Sequence, residues 1–377
     1  MAEPVRPEVV PSLEDRWYHV VSGEATSLLA ALARGGLSAA AGLYSLGLRA
    51  NLGLYQWGLK ARTRPALPVV SIGNITLGGT GKTTAVRFLV ARLAQAGIRA
   101  GIVLRGHGGR VPAPCLVTDG QGNVRAADDA GDEALEYARL LTGTPVAVGK
   151  RRETSIRLLA EAGAQIAVLD DGYQYFRMHR DLDIVLVSAR TDLRLAHLFP
   201  RGVLREPWSH LGRVDQVWIT HADQASPGEL DQVRGLVRRN APQAAVALTM
   251  HRAEKLVDLA TGAVRPVEDL HGKNVVALSA LGSPTTFEGS LRGLGCEVIP
   301  LRFPDHHSYR PQDWERGALL AREHGASFIV TTLKDAVKVK FEVPWPTLVL
   351  RSELHFLSGE EHLDVAIDRL RQRVAGE

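Results

Sequence analysis

The stretch PVVSIGNITLGGTGKTT, residues 68–84, constrains the fold more than any other. The β-branched run 67–72 (LPVVSI), bounded by proline and Gly73, predicts a buried strand, and 83–97 (TTAVRFLVARLAQAG) predicts an amphipathic helix ending at Gly97. Between them Gly78, Gly79 and Gly81 let backbone N–H groups approach anionic oxygens. Lys82 brings a point charge to phosphates, and the Thr83 hydroxyl can reach Mg²⁺. Thr80 and Thr84 complete the loop, and Thr76 stands where the generic phosphate-loop pattern has its first glycine. With the strand RAGIVL (99–104) next, the order is βαβ, which implies a parallel sheet with a right-handed crossover.

Further strands are expected at 145–148, 165–171 and 182–188, with helices near 131–142 and 152–162. A second α/β series runs through strands at 216–220, 244–250, 274–280, 297–303, 327–332 and 346–350. A chain of 377 residues exceeds the ~250–300 at which single cores stop growing, so two units are expected. The boundary is placed between Ser188 and Gly228, giving a helical segment at 1–66, a nucleotide-binding unit at 67–188 and a smaller α/β unit at 189–350.

Composition limits the class of partner. Hydrophobic residues at 45% and charged residues at 23% are those of a globular chain, and the net charge of +4 comes without a dense basic run interleaved with aromatics. Nucleic acid is therefore not expected as a partner, whereas an anionic substrate or an anionic membrane surface is compatible. The two cysteines, Cys115 and Cys296, form neither a disulfide framework nor a metal pair, which fits a reducing cytoplasm. The N-terminus lacks the charged and apolar regions of a secretory signal.

Residues 25–59 are the most apolar long stretch, but Arg34 and Arg49 interrupt it and no uncharged run reaches the ~20 residues of a membrane span. Leu28, Leu32, Leu43 and Leu46 recur at roughly helical spacing, with Tyr44, Tyr55 and Trp57 nearby. From the residues alone, a helix lying in a membrane interface and a buried helical hairpin are equally compatible.

Several other motifs carry candidate chemistry. Asp170 and Asp171 end an apolar strand, the place where an acidic residue orients Mg²⁺ in a phosphate-loop fold; adjacent strand residues point to opposite faces, so their roles should differ. Asp132 and Glu133 sit at a helix start, where an N-cap with an acidic first turn competes with a general-base role. One of His306 and His307, in RFPDHHSY, could serve in general-base transfer of a proton from a hydroxyl. Arg152, Arg205 and Glu206 lie in VGKRRET and GVLREPW, and the arginines could clamp an anionic group bidentately.

In their order, the segments PVVSIGNITLGGTGKTT, LRGHGGR, GDEALEYA, VAVGKRR, LDDGYQYFRMHRDLDIVLV, LFPRGVLREPW, FPDHHSYRPQDW and TTLKDAVK resemble the tetraacyldisaccharide 4′-kinases, which phosphorylate the lipid A precursor. That family also has threonine at the position of Thr76. The resemblance implies transfer of the ATP γ-phosphate to the 4′-hydroxyl of an acylated glucosamine disaccharide 1-phosphate, with ATP and Mg²⁺ as cofactors. It places the catalytic pair on Asp132 and His306, the loop lysine on Lys82, the metal-side acids on Asp170, Asp171, Glu133 and Glu206, and the arginines on Arg152 and Arg205. It further implies an N-terminal helix docked on the cytoplasmic face of the bacterial inner membrane, no obligatory protein partner, and return of residues 351–377 to the first unit.

His107, Ala134 and Leu333 depart from the family's usual tyrosine, proline and glutamate, and none touches the proposed chemistry. Two other classes compete. A partitioning-type switch ATPase requires a lysine where this chain has Leu77, and a soluble-metabolite kinase gives no use to the apolar N-terminal segment.

Overall fold

The computed structural model describes residues 13–106, 113–123, 130–282, 284–305 and 307–376, with 13–16 and Asp132 described through their backbone only. Two helices come first, α1 (Leu13–Val21) and α2 (Leu28–Gln56). The phosphate-loop half follows as β1 (Val69–Asn74), α3 (Lys82–Gln95), β2 (Ala100–Leu104), β3 (Cys115–Thr118), α4 (Asp132–Leu140), β4 (Val146–Val148), α5 (Arg152–Glu161), β5 (Ile166–Asp170) and β6 (Leu182–Ser188). The chain continues through β7 (Gln216–Thr220), α6 (Pro227–Asn240), β8 (Ala245–Asp258), β9 (Val264–Arg265), β10 (Asn274–Ser279), α7 (Pro284–Gly293) and β11 (Glu297–Arg302). It ends with α8 (Pro311–Glu323), β12 (Phe328–Thr332), α9 (Leu333–Ala336), β13 (Thr347–Ser358) and α10 (Glu360–Ala375).

All thirteen strands belong to one mostly parallel sheet, in the order β11-β10-β12-β13-β8-β7-β6-β1-β5-β2-β4-β3, with β9 on β8. Every residue of β1 is buried, because helices cover both faces of a central parallel strand. Alternate residues feed opposite cores: Val70 and Ile72 join Leu89 and Trp218 on one face, while Val69 joins Val103, Ile156 and Leu169 on the other.

The expected boundary between 188 and 228 is not where the molecule divides. β7 continues the first half of the sheet, pairing in parallel with β6 from Ile184↔Gln216 to Ser188↔Thr220. The two halves meet in the antiparallel ribbon of β8 and β13, paired from Ser358↔Leu248 to Leu348↔Asp258. The cores separate along this ribbon: Ala247 and Leu354 pack with the phosphate-loop half, whereas Leu256, Leu348 and Leu350 pack with the other. A strand long enough to serve both halves leaves no linker for a composition shift to mark. Leu363, Ile367 and Leu370 of α10 lie in the first half's core.

α2 is one continuous helix of 29 residues, capped by the Ser27 hydroxyl, and not a hairpin. Ala30, Ala41 and Leu52 turn inward. The opposite side leaves Leu28 77% and Leu43 72% exposed, with Leu32 and Leu46 also exposed. At about 100° per residue these four leucines fall within roughly 60° of arc. Among the described residues no helix is long and apolar enough to cross a membrane.

Candidate active site

The loop between β1 and α3 is fixed from below. Asn74 Nδ2 donates to Thr80 Oγ1 at 3.1 Å, and Gln174 Nε2 donates to the Asn74 carbonyl at 2.9 Å. The segment 198–206 fixes it from the side: Leu77 N donates to Val203 O at 2.6 Å, and Arg205 N donates to Ile75 O at 2.7 Å. Thr76 is buried and forms an antiparallel bridge with Leu204. This buried bridge gives position 76 a structural task in which a β-branched residue is at home. Gly81 is left-handed (φ +81°) at the start of α3, which turns the chain so that Lys82 opens the helix.

The loop floors a cleft of about 390 Å³ that also reaches Glu133, Arg205, Asp305 and Lys334. Two of the cleft's cations, Lys82 and Arg205, converge on Asp171, one of two non-glycine residues with positive φ among those described. Its carboxylate accepts from Arg205 Nη1 at 2.9 and 3.1 Å and lies 3.7 Å from Lys82 Nζ. Burial alone would raise its pKa; the Lys82 and Arg205 charges outweigh that and hold it below the usual carboxylate value. Arg152 is buried under Tyr175, donating Nη2 to the Asp171 carbonyl at 2.9 Å.

Asp170, the last residue of β5, behaves in the opposite way, the chain turning at Asp171 just beyond the strand. It is buried, takes a 2.8 Å hydrogen bond from the Tyr137 hydroxyl on Oδ2, and leaves Oδ1 without a partner. Burial, then the nearby Glu133 charge, push its pKa up to about 7. Burial also raises Glu133 despite Lys334 and Lys82. Among the described residues no three acidic or imidazole groups converge closely enough to hold a metal unaided. A dry carboxylate with a spare oxygen, a second carboxylate and the Thr83 hydroxyl fit an ion that takes one or two protein carboxylates and completes its shell with phosphate oxygens and water.

Other expected residues divide. Asp132 is the first residue of α4, its side chain outside the described residues, and His306 lies outside them altogether, as does His107. His307 is engaged structurally: Nε2 is 3.0 Å from Asp313 Oδ2, and the ring stacks on Phe303 at 4.6 Å. Glu206 is wholly enclosed, 2.9 Å from Arg213 and 2.8 Å from His210 Nδ1. With its oxygens so occupied it anchors the segment that carries Arg205, a different task from the metal-side one expected. Ala134 is buried in the core cluster around Val70. Leu333 opens α9.

The sequence reading missed Glu136, Arg87, His221 and His251, all of which line the cleft. Glu136 follows Glu133 by three positions and so shares its helix face. His221 directly follows β7, and ligands in parallel α/β sheets bind beyond the carboxyl ends of strands. Those two signals could have found them.

The sequence profile of the Tetraacyldisaccharide-1-P 4′-kinase family matches residues 34–372. A tetraacyldisaccharide 4′-kinase of Anaeromyxobacter dehalogenans is 39% identical over 316 residues, covering 81% of this chain and 82% of its own. One from Geobacter sulfurreducens is 34% identical, covering 86% and 89%. A crystal structure of the Aquifex aeolicus enzyme LpxK, described as an "apo" form in complex with ATP, superposes with a TM-score of 0.69 at 26% identity, covering 89% of this chain and 99% of that one.

Proposed function

The chain belongs to the tetraacyldisaccharide 4′-kinase family, and from that premise we propose that it transfers the ATP γ-phosphate to the 4′-hydroxyl of tetraacyldisaccharide 1-phosphate, in the cleft above the phosphate loop. The observation that carries this reading is Asp171, which pairs with both Lys82 and Arg205 beside a glycine loop at a helix N-terminus. Two cations held next to phosphate-binding amides are placed to stabilise charge on a phosphoryl group in flight.

In this reading Gly78, Gly79, Thr80, Gly81 and Thr84 cradle the nucleotide phosphates, and Arg152 sets the Asp171 main chain from behind. Mg²⁺ would be held by Thr83 and by one or two of the carboxylates Asp170, Asp171 and Glu133, and would supply charge neutralisation on the phosphates. Glu206 is left out of that set because Arg213 and His210 occupy it. Asp132, with His306, takes the proton of the attacking sugar hydroxyl. His307 is the weaker candidate for that step because Asp313 and Phe303 already hold its ring. The displacement is direct and needs no covalent enzyme intermediate.

The exposed leucine side of α2 is the membrane-docking surface, at the cytoplasmic face of the inner membrane. Tyr44 on the same helix donates to the Arg205 carbonyl at 3.0 Å, so the docked helix adjoins the catalytic segment that must meet a lipid acceptor. No protein partner is required by this reading.

The test is incubation of the protein with ATP, Mg²⁺ and tetraacyldisaccharide 1-phosphate in detergent, with mass spectrometry of the lipid. A product one phosphate heavier is expected from the wild type, and Asp132→Ala should abolish it while retaining ATP binding. Folded wild-type protein that leaves the lipid unmodified would overturn the function, and near-normal turnover by Asp132→Ala would overturn the base. Leu43→Glu with Leu46→Glu should reduce sedimentation with anionic vesicles without altering thermal stability, since both side chains are exposed. Unchanged sedimentation removes the docking role of α2.

A further inference from the structure

Two histidines occupy the flank of the phosphate loop away from the aspartates. β5 with Asp170 and Asp171 lies on one side of β1; β6, β7 and β8 lie on the other. His221 follows β7 in a left-handed conformation (φ 55°), uncommon for a residue with a side chain. His251 projects from β8, and the two strand ends are tied by Ala222 N donating to Thr249 O at 3.1 Å. The rings meet edge to face, centroids 4.8 Å apart and planes at 86°.

His251 bears directly on the loop. A methyl group placed on Gly81 would lie 2.1 Å from His251 Cε1 and 2.5 Å from Nε2, so the imidazole fills the space a side chain would take. Its Nε2 is buried with no hydrogen-bond partner, on a residue that lines the cleft holding Lys82. A polar atom stranded in this way is destabilising, and a histidine serving only as packing would avoid that by pairing. His221, by contrast, has its Nδ1 3.3 Å from both Ser188 Oγ and Thr220 Oγ1, which fixes its ring.

We infer that His251 is a nucleotide-binding residue whose Nε2–H donates a hydrogen bond to a phosphate oxygen of the bound nucleotide, and that His221 is the positioning residue that holds its ring. The phosphate chain is the part of the nucleotide in reach, because the ring abuts Gly81, the residue before Lys82. Burial keeps both imidazoles neutral, lowering His221 to about 3 and His251 to about 4. A neutral donor adds to phosphate binding without repelling Lys82. The inference rests on the loop being the ATP site.

The experiment measures ATP, ADP and adenosine affinity by calorimetry, with steady-state kinetics in parallel, for wild type, His251→Ala, His251→Gln, His221→Asn, the double variant His221→Asn/His251→Ala, and Lys82→Ala. For His251→Ala we expect ATP and ADP affinity to fall about tenfold, in line with one hydrogen bond to a charged group. Adenosine affinity and kcat at saturating ATP should stay within twofold of wild type. His221→Asn should raise the KM for ATP with kcat unchanged, and the double variant should be no worse than His251→Ala alone, as expected of residues acting through one contact. If His251→Ala does not fold, His251→Gln and the ¹⁵N shift of His251 Nε2 during ADP titration of the wild type carry the test.

Lys82→Ala must lose turnover for the loop to be the ATP site; if it does not, that reading fails. If Lys82→Ala loses turnover while His251→Ala and His251→Gln bind ADP like wild type, the loop reading stands and the inference is overturned. An equal loss for adenosine and ADP overturns it too, because the contact would then lie on the nucleoside. Additive effects in the double variant overturn the role of His221.

Discussion

The two flanks of β1 solve different problems with the same backbone device. At the end of β5 Asp171 sits at φ 54°, and at the end of β7 His221 sits at φ 55°; each turns the chain toward the loop where glycine would be usual. The β5 flank is charged and internally opposed, with Glu133, Asp170 and Asp171 set against Lys82 and Arg205. The β7–β8 flank carries the neutral pair of imidazoles that meet edge to face. Charge gathers on the β5 side of the loop, and the β7–β8 side carries uncharged rings.

The largest expected difference between the flanks is in catalysis. Asp171→Ala releases Lys82 and Arg205 and should lower kcat by about a hundredfold or more, the scale of losing one pre-organised electrostatic group. Comparable kcat losses from His251→Ala would erase the contrast. Next comes Gly81→Ala, which meets His251 and forces a left-handed alanine. The KM for ATP should rise more than about tenfold, and adding His251→Ala should restore only part of it, since the backbone strain of about 1 kcal/mol persists. Full restoration would show that the collision with the ring is the whole effect and that His251 adds nothing to ATP binding.

The flanks should also titrate with opposite signs. Glu136, driven chiefly by burial, is raised from 4.5 to about 7, so the native state holds a proton that the unfolded chain has released. Its contribution to stability is present below pH 4.5 and is lost as pH rises through about 7. The histidines are lowered from 6.5, so their contribution is present above that pH and lost as pH falls toward 4 and then 3. In EDTA, thermal midpoints taken from pH 5 to pH 8 should therefore rise more with pH in Glu136→Gln than in wild type. His221→Asn should lessen the loss at the acid end. A Glu136→Gln profile parallel to wild type would remove Glu136 from the charged flank. The smallest effect is expected from Tyr137→Phe, which removes the hydrogen bond to Asp170 and should cost about 1 kcal/mol in denaturant unfolding.

The flanks also differ in how readable they were. The phosphate loop and its neighbours were legible because a glycine cluster between a β-branched run and an amphipathic helix has few physical alternatives. Asp170 and Asp171 were legible because they close an apolar strand. His251 was not, because it falls inside β8, where a single histidine carries no spacing signal and only the sheet order brings it beside the loop; His221 had only its place at the carboxyl end of β7 to mark it. The β8–β13 ribbon was half visible: AAVALTM reads as a strand and so does PTLVL, but β8 runs on through HRAEKLVD and β13 through RSELHFLS. Charged residues interrupt the apolar pattern there because the ribbon leaves the core between the two halves. β3 was missed altogether, being a four-residue edge strand whose first two residues are only half buried. The leucines of α2 gave its period, yet whether that face was covered was a question of tertiary structure.

The late position of β13 in the chain has a consequence for synthesis. Leu348 and Leu350 complete the core of one half, while Leu354 and, from α10, Leu363, Ile367 and Leu370 complete the core of the other. Both halves therefore wait for the same closing stretch to leave the ribosome. A chain stalled before residue 347 would carry two unfinished cores and an unpaired face along β8, while the leucines of α2 have been in solution since early in translation. β13 and α10 thus tie the packing of both halves to one stretch of chain, 347–375.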